Sequence, residues 1–360
     1  MTSLVNVSTA LLADQAVQNK ARKLGFMIFF RDLQPLSASE RKRYEARSVK
    51  LRKSEVEIGR ACEKFAEVET GKLLRVRSGF VFRDDPATLP GDPSDRRLPP
   101  LQERPPSTRL PSPRGIALKV YLTALFVAQA SPPGTYPGNA LPLNNVDTVS
   151  WVDLFATPSE LTRKGDRNYI TVRDKKVRQL HSALDRLSAD SFQLVHLPNG
   201  NKVRGKYEEF QLLHENGVPY GGGDNPDRYM VPTEQGNLPW LPAEFFLNGW
   251  IHLLEDTEIN FLLMLAWLHG RFGAQSVFVA SDIRLRQFGL GKDAYEAHRM
   301  LDRFGLVHVE EDPNRHFDDS KVTGYKEGTM PKLHRFELRR DGFKEPALPK
   351  IRAAIERRLR

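Results

Sequence analysis

Residues 301–309 read LDRFGLVHV and residues 184–197 read LDRLSADSFQLVHL, so Leu-Asp-Arg followed by Leu-Val-His occurs twice in the chain. Ahead of the first copy, Val177, Leu180, Leu184 and Leu187 fall at i, i+3, i+7 and i+10, a single apolar stripe on a helix running roughly from Thr171 to Leu187. Behind it, FQLVHL has strand character, PNGNKVRGK holds an Asn-Gly turn signal, and YEEFQLL can return as the partner strand. The second copy repeats the order. Ala294, Ala297, Leu301 and Phe304 form the same stripe, LVHVEE is a strand, residues 312–332 form a long polar loop, and HRFELR returns. The repeated words therefore mark a junction between a helix and a hairpin, with core leucines and an Asp-Arg pair at the exposed helix end.

Working outward, each junction lies in a longer segment of similar content. GIALKVYLTALFVAQ is apolar enough for a buried helix, and VSWVDLFA and SELTRKGDRN lead from it to the first stripe. In the second segment DTEINFLLMLAWLHGRF reads as a strongly apolar helix capped by Asp256 or Thr257, SVFVA as a strand, and SDIRLRQFGL as a short helix started by Ser281 and stopped near Gly289. Helix, strand, helix, helix, strand, loop, strand is the order of a winged helix. The fold expected is α+β, with two winged-helix domains in tandem at 114–217 and 240–342, joined by a Pro/Gly-rich connector at 218–239.

Before the first domain, residues 83–113 carry nine prolines and almost no large apolar side chains, and read as an extended linker. Residues 1–82 are a helical basic N-terminal region: LLADQAVQNKARKLGFMIFF, then a Glu/Lys/Arg-rich stretch opened by Ser39 as N-cap. That stretch is either a solvated helix or a basic arm that orders on its partner. Residues 343–360 are a basic C-terminal tail.

The 360 residues carry a formal charge of +9. Residues 1–82 hold 16 Lys/Arg against 9 Asp/Glu, and residues 343–360 hold 6 against 2, whereas residues 240–342 hold 13 against 16. Excess positive charge on particular segments suggests a polyanion, most often nucleic acid. No apolar run approaches the roughly 18 residues of a membrane span, and the start lacks the basic lead and cleavage site of a signal peptide. A single cysteine, Cys62, excludes a disulfide framework and a cysteine-rich zinc site and reads as structural. The expectation is a cytoplasmic protein.

If each unit docks its third helix in a major groove, the contacts follow. In the first unit Arg173, Lys175, Arg178 and Gln179 lie opposite the stripe, with Lys176 on the flank. Arg163, Lys164 and Arg167 precede the helix, and Lys202, Arg204 and Lys206 occupy the hairpin tip. Loop and tip cations would hold phosphates, and Arg173, Lys175 and Gln179 would reach bases. The second unit offers Arg284, Arg286, Lys292, Tyr295, Arg299 and Arg303. Its hairpin loop is acidic at Glu310, Glu311, Asp318 and Asp319, which repels phosphate and leaves protein contact as an alternative role.

The stretch 114–342 resembles plasmid replication initiators of the tandem winged-helix type. The residues carrying the resemblance are IALKVYLTAL, KKVRQLHSALDRL with FQLVHLPNGNKVRGKYEEFQLL, and GKDAYEAHRMLDRFGLVHV. The resemblance is one of topology and pattern, without a diagnostic motif, and covers none of the first 80 residues. It implies wings that bind repeated origin sequences in double-stranded DNA, one unit that also mediates homodimerisation, and recruitment of host replication proteins. Neither a membrane partner nor a cofactor is expected. The same fold would also serve a transcriptional regulator, or an adaptor using winged helices for protein contacts.

Enzymatic chemistry is not expected. A rolling-circle nickase needs paired histidines one apolar residue apart, and His196, His252 and His308 each lack that partner and sit on apolar stretches. Walker A, His-Glu-x-x-His and Gly-x-Ser-x-Gly patterns are absent from the sequence. The glycine trio at 221–223 is followed by no Gly-Lys-Ser/Thr and reads as a loop. HVEED and FDDSK gather carboxylates that suit an exposed acidic turn more than a Mg²⁺ site.

Overall fold

A computed structural model describes residues 36–84, 97–113, 115–139, 141–156, 171–202, 204–217, 227–233, 238–312, 328, 330 and 332–360. The N-terminal helix LLADQAVQNKARKLGFMIFF, the glycine trio and most of the 312–332 loop lie outside them. Along the described chain come helix α1 (Ala38–Ala66), strand β1 (Leu73–Arg75), α2 (Ala117–Ala128), α3 (Val172–Ser188), β2 (Val195–His196), β3 (Gln211–Leu212) and β4 (Trp240–Pro242). Then follow α4 (Asp256–Phe272), α5 (Ser281–Arg286), α6 (Lys292–Arg303), β5 (Val307–Glu310), β6 (Arg335–Leu338) and α7 (Ala347–Leu359), with single helical turns between them. The architecture is mixed α+β, about half helical, with small antiparallel sheets.

The two apolar stripes fold as their spacing requires. Leu180, Leu184 and Leu187 are completely buried on α3, as is Leu301 on α6 with Ala294, Ala297 and Phe304 around it. Each helix is followed by an antiparallel pair: β2 with β3 (Val195 opposite Leu212) and β5 with β6 (Val307 opposite Leu338). SVFVA contributes one bridge, Val277 to Phe336, beside β6. The cap of α4 is Glu255, boxed with Glu258, rather than Asp256 or Thr257. α5 begins at Ser281 without a side-chain cap, and its chain turns at Gly289 in the left-handed region (φ +64°).

The segments outside the repeats depart most from expectation. α1 begins at Ser37, not Ser39. The Ser37 hydroxyl accepts from the Glu40 amide, and the Glu40 carboxylate accepts from the Ser37 amide at 3.0 Å. Tyr44, Leu51, Ile58 and Phe65, spaced by seven, line its buried side with Ser54 and Ala61 between them. The helix is therefore neither solvated all round nor an arm awaiting a partner. At about 1.5 Å per residue it is a strut roughly 43 Å long, and it touches both helix–hairpin units. Glu57 meets Lys176 of α3 at 2.7 Å, with the two side chains 7% and 9% exposed. Arg47 holds Glu258 of α4 through two bonds of 2.6 and 2.9 Å, and Tyr44 donates to the Met300 sulfur on α6.

The rest of the N-terminal region is also built in. β1 pairs with β4 in antiparallel register, Leu74 opposite Leu241, and joins the N-terminal region to the start of the second unit. Phe82 stacks on Trp267 of α4 with ring centroids 4.0 Å apart, and the Trp267 indole donates to the Ser78 hydroxyl at 2.6 Å.

The proline-rich stretch is corrected in its second half. Residues 97–113 form a docked strap with Pro106, Ser107, Arg109 and Leu110 buried. Proline-rich sequence cannot make its own core, but it can lie on one with its carbonyls bonded by neighbouring donors. Arg186 supplies two, donating to Leu110 O at 3.0 Å and Arg109 O at 2.8 Å, and Arg109 in turn reaches Ser191 O. Both guanidinium groups lie over the Phe192 ring, at 4.9 and 5.1 Å. The expected basic tail is likewise a helix, α7, packed against α1 with Arg352 on Glu55 at 2.7 Å.

One connected cluster of buried apolar side chains runs from Tyr44 to Ile355. Phe246 lies near its middle, stacked on Phe126 of α2 at 4.1 Å and 6.1 Å from Phe65 of α1. The sequence boundaries thus mark changes of composition, while the core crosses all of them. No helix of the described residues is long and apolar enough to cross a membrane.

Candidate nucleic-acid interface

The repeated Asp-Arg pair positions this surface. Asp185, at the end of α3, accepts from Lys206 Nζ at 2.7 Å and from the Tyr207 hydroxyl at 2.8 Å. His181, one turn earlier, stacks on the Tyr207 ring with centroids 4.1 Å apart. Burial lowers the His181 pKa despite the nearby Asp185 carboxylate, so the ring packs as a neutral aromatic. This clamp fixes the basic turn of the hairpin beside the exposed flank of α3. In the second unit Asp302 accepts from the Val309 amide at 3.3 Å, tying α6 to its own strand. The arginines point the other way. Arg186 holds the strap, and Arg303 donates to the Tyr44 hydroxyl of α1 at 2.7 Å. In both units Asp fastens the hairpin and Arg fastens the N-terminal chain; of the pairs expected at exposed helix ends, Asp185 is exposed and Arg186, Asp302 and Arg303 are half-buried.

α3 starts at Thr171, whose hydroxyl accepts from the Asp174 amide at 3.0 Å while the Asp174 carboxylate accepts from Thr171. Those bonds from Thr171 hold the exposed Asp174 carboxyl below its usual range. Arg173, expected to read bases, is instead an anchor. It donates to Asn144 Oδ1 at 2.7 Å, Asp153 Oδ1 at 2.7 Å, Asn145 O at 2.5 Å and Ser150 Oγ at 3.2 Å. Burial works to raise the Asp153 pKa, but the bonds from Ser150 and Arg173 outweigh it and leave the pKa lowered. Lys176 is buried on Glu57 and faces the strut. Lys175 and Gln179 are half-buried, and Arg178 is exposed.

Across the clamp, Lys202 and Arg204 are exposed on the turn, with Gly205 in the left-handed region (φ +75°). Lys202 bonds Asn199 Oδ1 at 2.7 Å. Lys206 is partly neutralised by Asp185. Arg178 is therefore exposed on α3, and Lys202 and Arg204 on the turn that Asp185 ties to that helix. Arg163, Lys164 and Arg167 lie outside the described residues.

The second unit's set is largely absorbed in packing. Arg284 is buried, donates to Gly291 O at 2.8 Å and lies over the Tyr295 ring at 4.8 Å. Arg299 pairs with Glu296 at 2.8 Å, and Arg303 is on Tyr44. Arg286 is half-buried, which leaves Lys292 exposed at the start of α6. The strut also flanks α6 through Tyr44. Glu310 is exposed on β5, 3.9 Å from Arg335, and Asp318 and Asp319 lie outside the described residues.

The histidines divide. His196 is exposed on β2 and His308 half-buried on β5, while His252 packs 6.0 Å from Phe65 with its Nε2 buried. No group of three or more His, Cys, Asp or Glu able to hold a metal occurs among the described residues. Burial pushes the Cys62 thiol up to about 11, which keeps it protonated near neutral pH.

Fold and surface together define a basic α+β protein that presents a helix and a clamped hairpin on one face. No protein-family model, curated protein or solved structure matches the chain.

Proposed function

We propose that the protein binds double-stranded DNA sequence-specifically through the first of its two helix–hairpin units, used as a winged helix, and acts as a replication initiator of the plasmid type. The observation that carries the reading is the Asp185 clamp. Through Lys206 and Tyr207 it holds the cationic turn beside α3, so that a helix lying in a major groove would set Lys202 and Arg204 against the flanking phosphates. Arg178 is then the base-reading side chain, in place of Arg173. The first unit carries the DNA contact, because the second has committed Arg284, Arg299 and Arg303 to intramolecular bonds. Initiation rests on the resemblance of the tandem arrangement. A transcriptional regulator would use the same surface and differ in its target.

The test is fluorescence anisotropy on random-sequence duplex at several salt concentrations. The parent should bind with a steep salt dependence. Arg178→Ala/Lys202→Ala/Arg204→Ala should flatten it by about 0.9 for each phosphate no longer neutralised. A triple variant that binds like the parent overturns the assignment of this surface.

A further inference from the structure

The strongest concentration of charge lies away from the helix–hairpin surface, on the packed pair formed by α1 and α7. Residues 38–66 and 347–360 together hold 14 Lys and Arg against six Glu, a surplus of +8 in a chain whose formal total is +9. The two helices pack on one another, with Arg352 on Glu55 at 2.7 Å. The Ser37 hydrogen bonds hold the Glu40 carboxyl below its usual range, and the charges of Arg358, in the last turn of α7, and Arg43 lower it further. The last turn of α7 is therefore beside the first turns of α1. Arg41, Lys42, Arg43, Arg357 and Arg360 gather there, all exposed and making no ion pair among the described residues. Of the acids close to them in sequence, Glu40 is taken up by the Ser37 cap, while Glu45 and Glu356 are exposed.

We propose that this end of the helix pair is a contact surface for the phosphate backbone of duplex DNA, supplying sequence-independent affinity. The proposal rests on the reading of the protein as a duplex binder and adds a second surface to it. Arginine dominates the cluster, and its planar fork matches phosphate oxygens in a bidentate way. The packing of α1 decides against a lipid surface. A helix lying in a membrane interface sinks its apolar face into the bilayer. Here Tyr44, Leu51, Ile58 and Phe65 are spent on the core, and the exposed large apolar residues of α1 are Val49 and Val56. A backbone track needs exposed cations without a specific pocket, which is what the pair provides.

The test uses the full chain carrying Arg41→Gln/Lys42→Gln/Arg357→Gln. Because the three side chains are exposed, the thermal midpoint should match the parent's. The magnitude of the slope of log K against log salt should fall by about 2.7, at about 0.9 for each phosphate no longer neutralised. The ratio of affinities for a selected target and random duplex should be unchanged, since backbone contacts carry no sequence information. A parental slope in this variant overturns the proposal while leaving the helix–hairpin reading in place. Loss of slope here, with none in Arg178→Ala/Lys202→Ala/Arg204→Ala, supports the helix pair and overturns the other surface. A parent that binds phosphatidylglycerol vesicles but no duplex at low salt overturns both.

Discussion

Glu57 of α1 and Lys176 of α3 meet at 2.7 Å with both side chains less than a tenth exposed. This pair makes the basic N-terminal helix part of the fold. Its counterpart nearer the start of α1 is Arg47 with Glu258. Glu57 also accepts from Arg60 at 2.8 Å. Removing one member of a buried ion pair leaves its partner uncompensated and costs about 3–5 kcal/mol. Lys176→Ala should lose stability at the lower end of that range, because Arg60 still serves Glu57. Glu57→Met/Lys176→Met should recover most of the loss. Urea unfolding of the parent and the two variants checks it, and a Lys176→Ala midpoint equal to the parent's would remove the strut role.

Arg173 separates stability from recognition. Its guanidinium holds the 144–153 segment at four points, so Arg173→Ala takes the guanidinium donor from Asp153 Oδ1 and the Asn145 carbonyl, while Ser150 still serves Asp153 Oδ2. A loss of about 2–3 kcal/mol is expected from unsatisfied, partly buried groups. At a temperature where the variant is fully folded, its duplex affinity should stay within about twofold of the parent's. A large affinity loss with an unchanged melting temperature would restore Arg173 as a DNA contact.

Docking of the strap is tested at Gly289. Its φ of +64° disfavours any other residue, and an added Cβ would lie 2.8 Å from Thr108 Oγ1 and 3.0 Å from Arg104 Cβ. Gly289→Ala should cost about 1–3 kcal/mol through strain and displaced neighbours. It should also raise hydrogen exchange across residues 97–113. Exchange at the parental rate would show that the strap does not depend on this turn.

Acid should weaken the protein through His252. Burial lowers the His252 pKa to about 3, with Lys119 and Lys176 adding to the effect. The unfolded chain titrates near the ordinary histidine value and binds the proton first. The stability from a neutral His252 is therefore complete above about pH 6.5 and is lost progressively as pH falls toward 3. Between pH 7 and pH 5 the loss should be on the order of 1–2 kcal/mol. Denaturant midpoints at the two pH values should converge in His252→Gln. An equal pH response in variant and parent would assign the acid sensitivity elsewhere.

The parts of the fold that are legible in the sequence are those set by local period. The stripes through Leu184 and Leu301 and the strands after them reappear because a 3.6-residue repeat followed by β-rich sequence leaves few options. α1 is legible as a helix, but its burial is not. Its apolar residues are spaced by seven and diluted by charges such as Glu57 and Arg47, which turn inward only because Lys176 and Glu258 wait for them. The strap is illegible for a related reason: its order comes from donors on Arg186, 76 positions further along the chain than Leu110. At the candidate surface, charge and helix phase pick out Arg178, Lys202 and Arg204, and the structure leaves all three exposed. Asp185 reads as an exposed helix end, although its recurrence as Asp302 is the available signal that the two share a local role. Arg173 misleads because a side chain on the outer half of a helix can still be claimed by a loop packed over it.

The most direct measurement of DNA recognition is footprinting of the purified protein on the DNA around its own gene. Protection of tandem direct repeats is expected, lost in Arg178→Ala/Lys202→Ala/Arg204→Ala and retained in Arg173→Ala under folding conditions. One palindrome overlapping a promoter would favour a regulator over the proposed initiator. No protected sequence at any concentration that saturates random duplex would contradict sequence-specific binding.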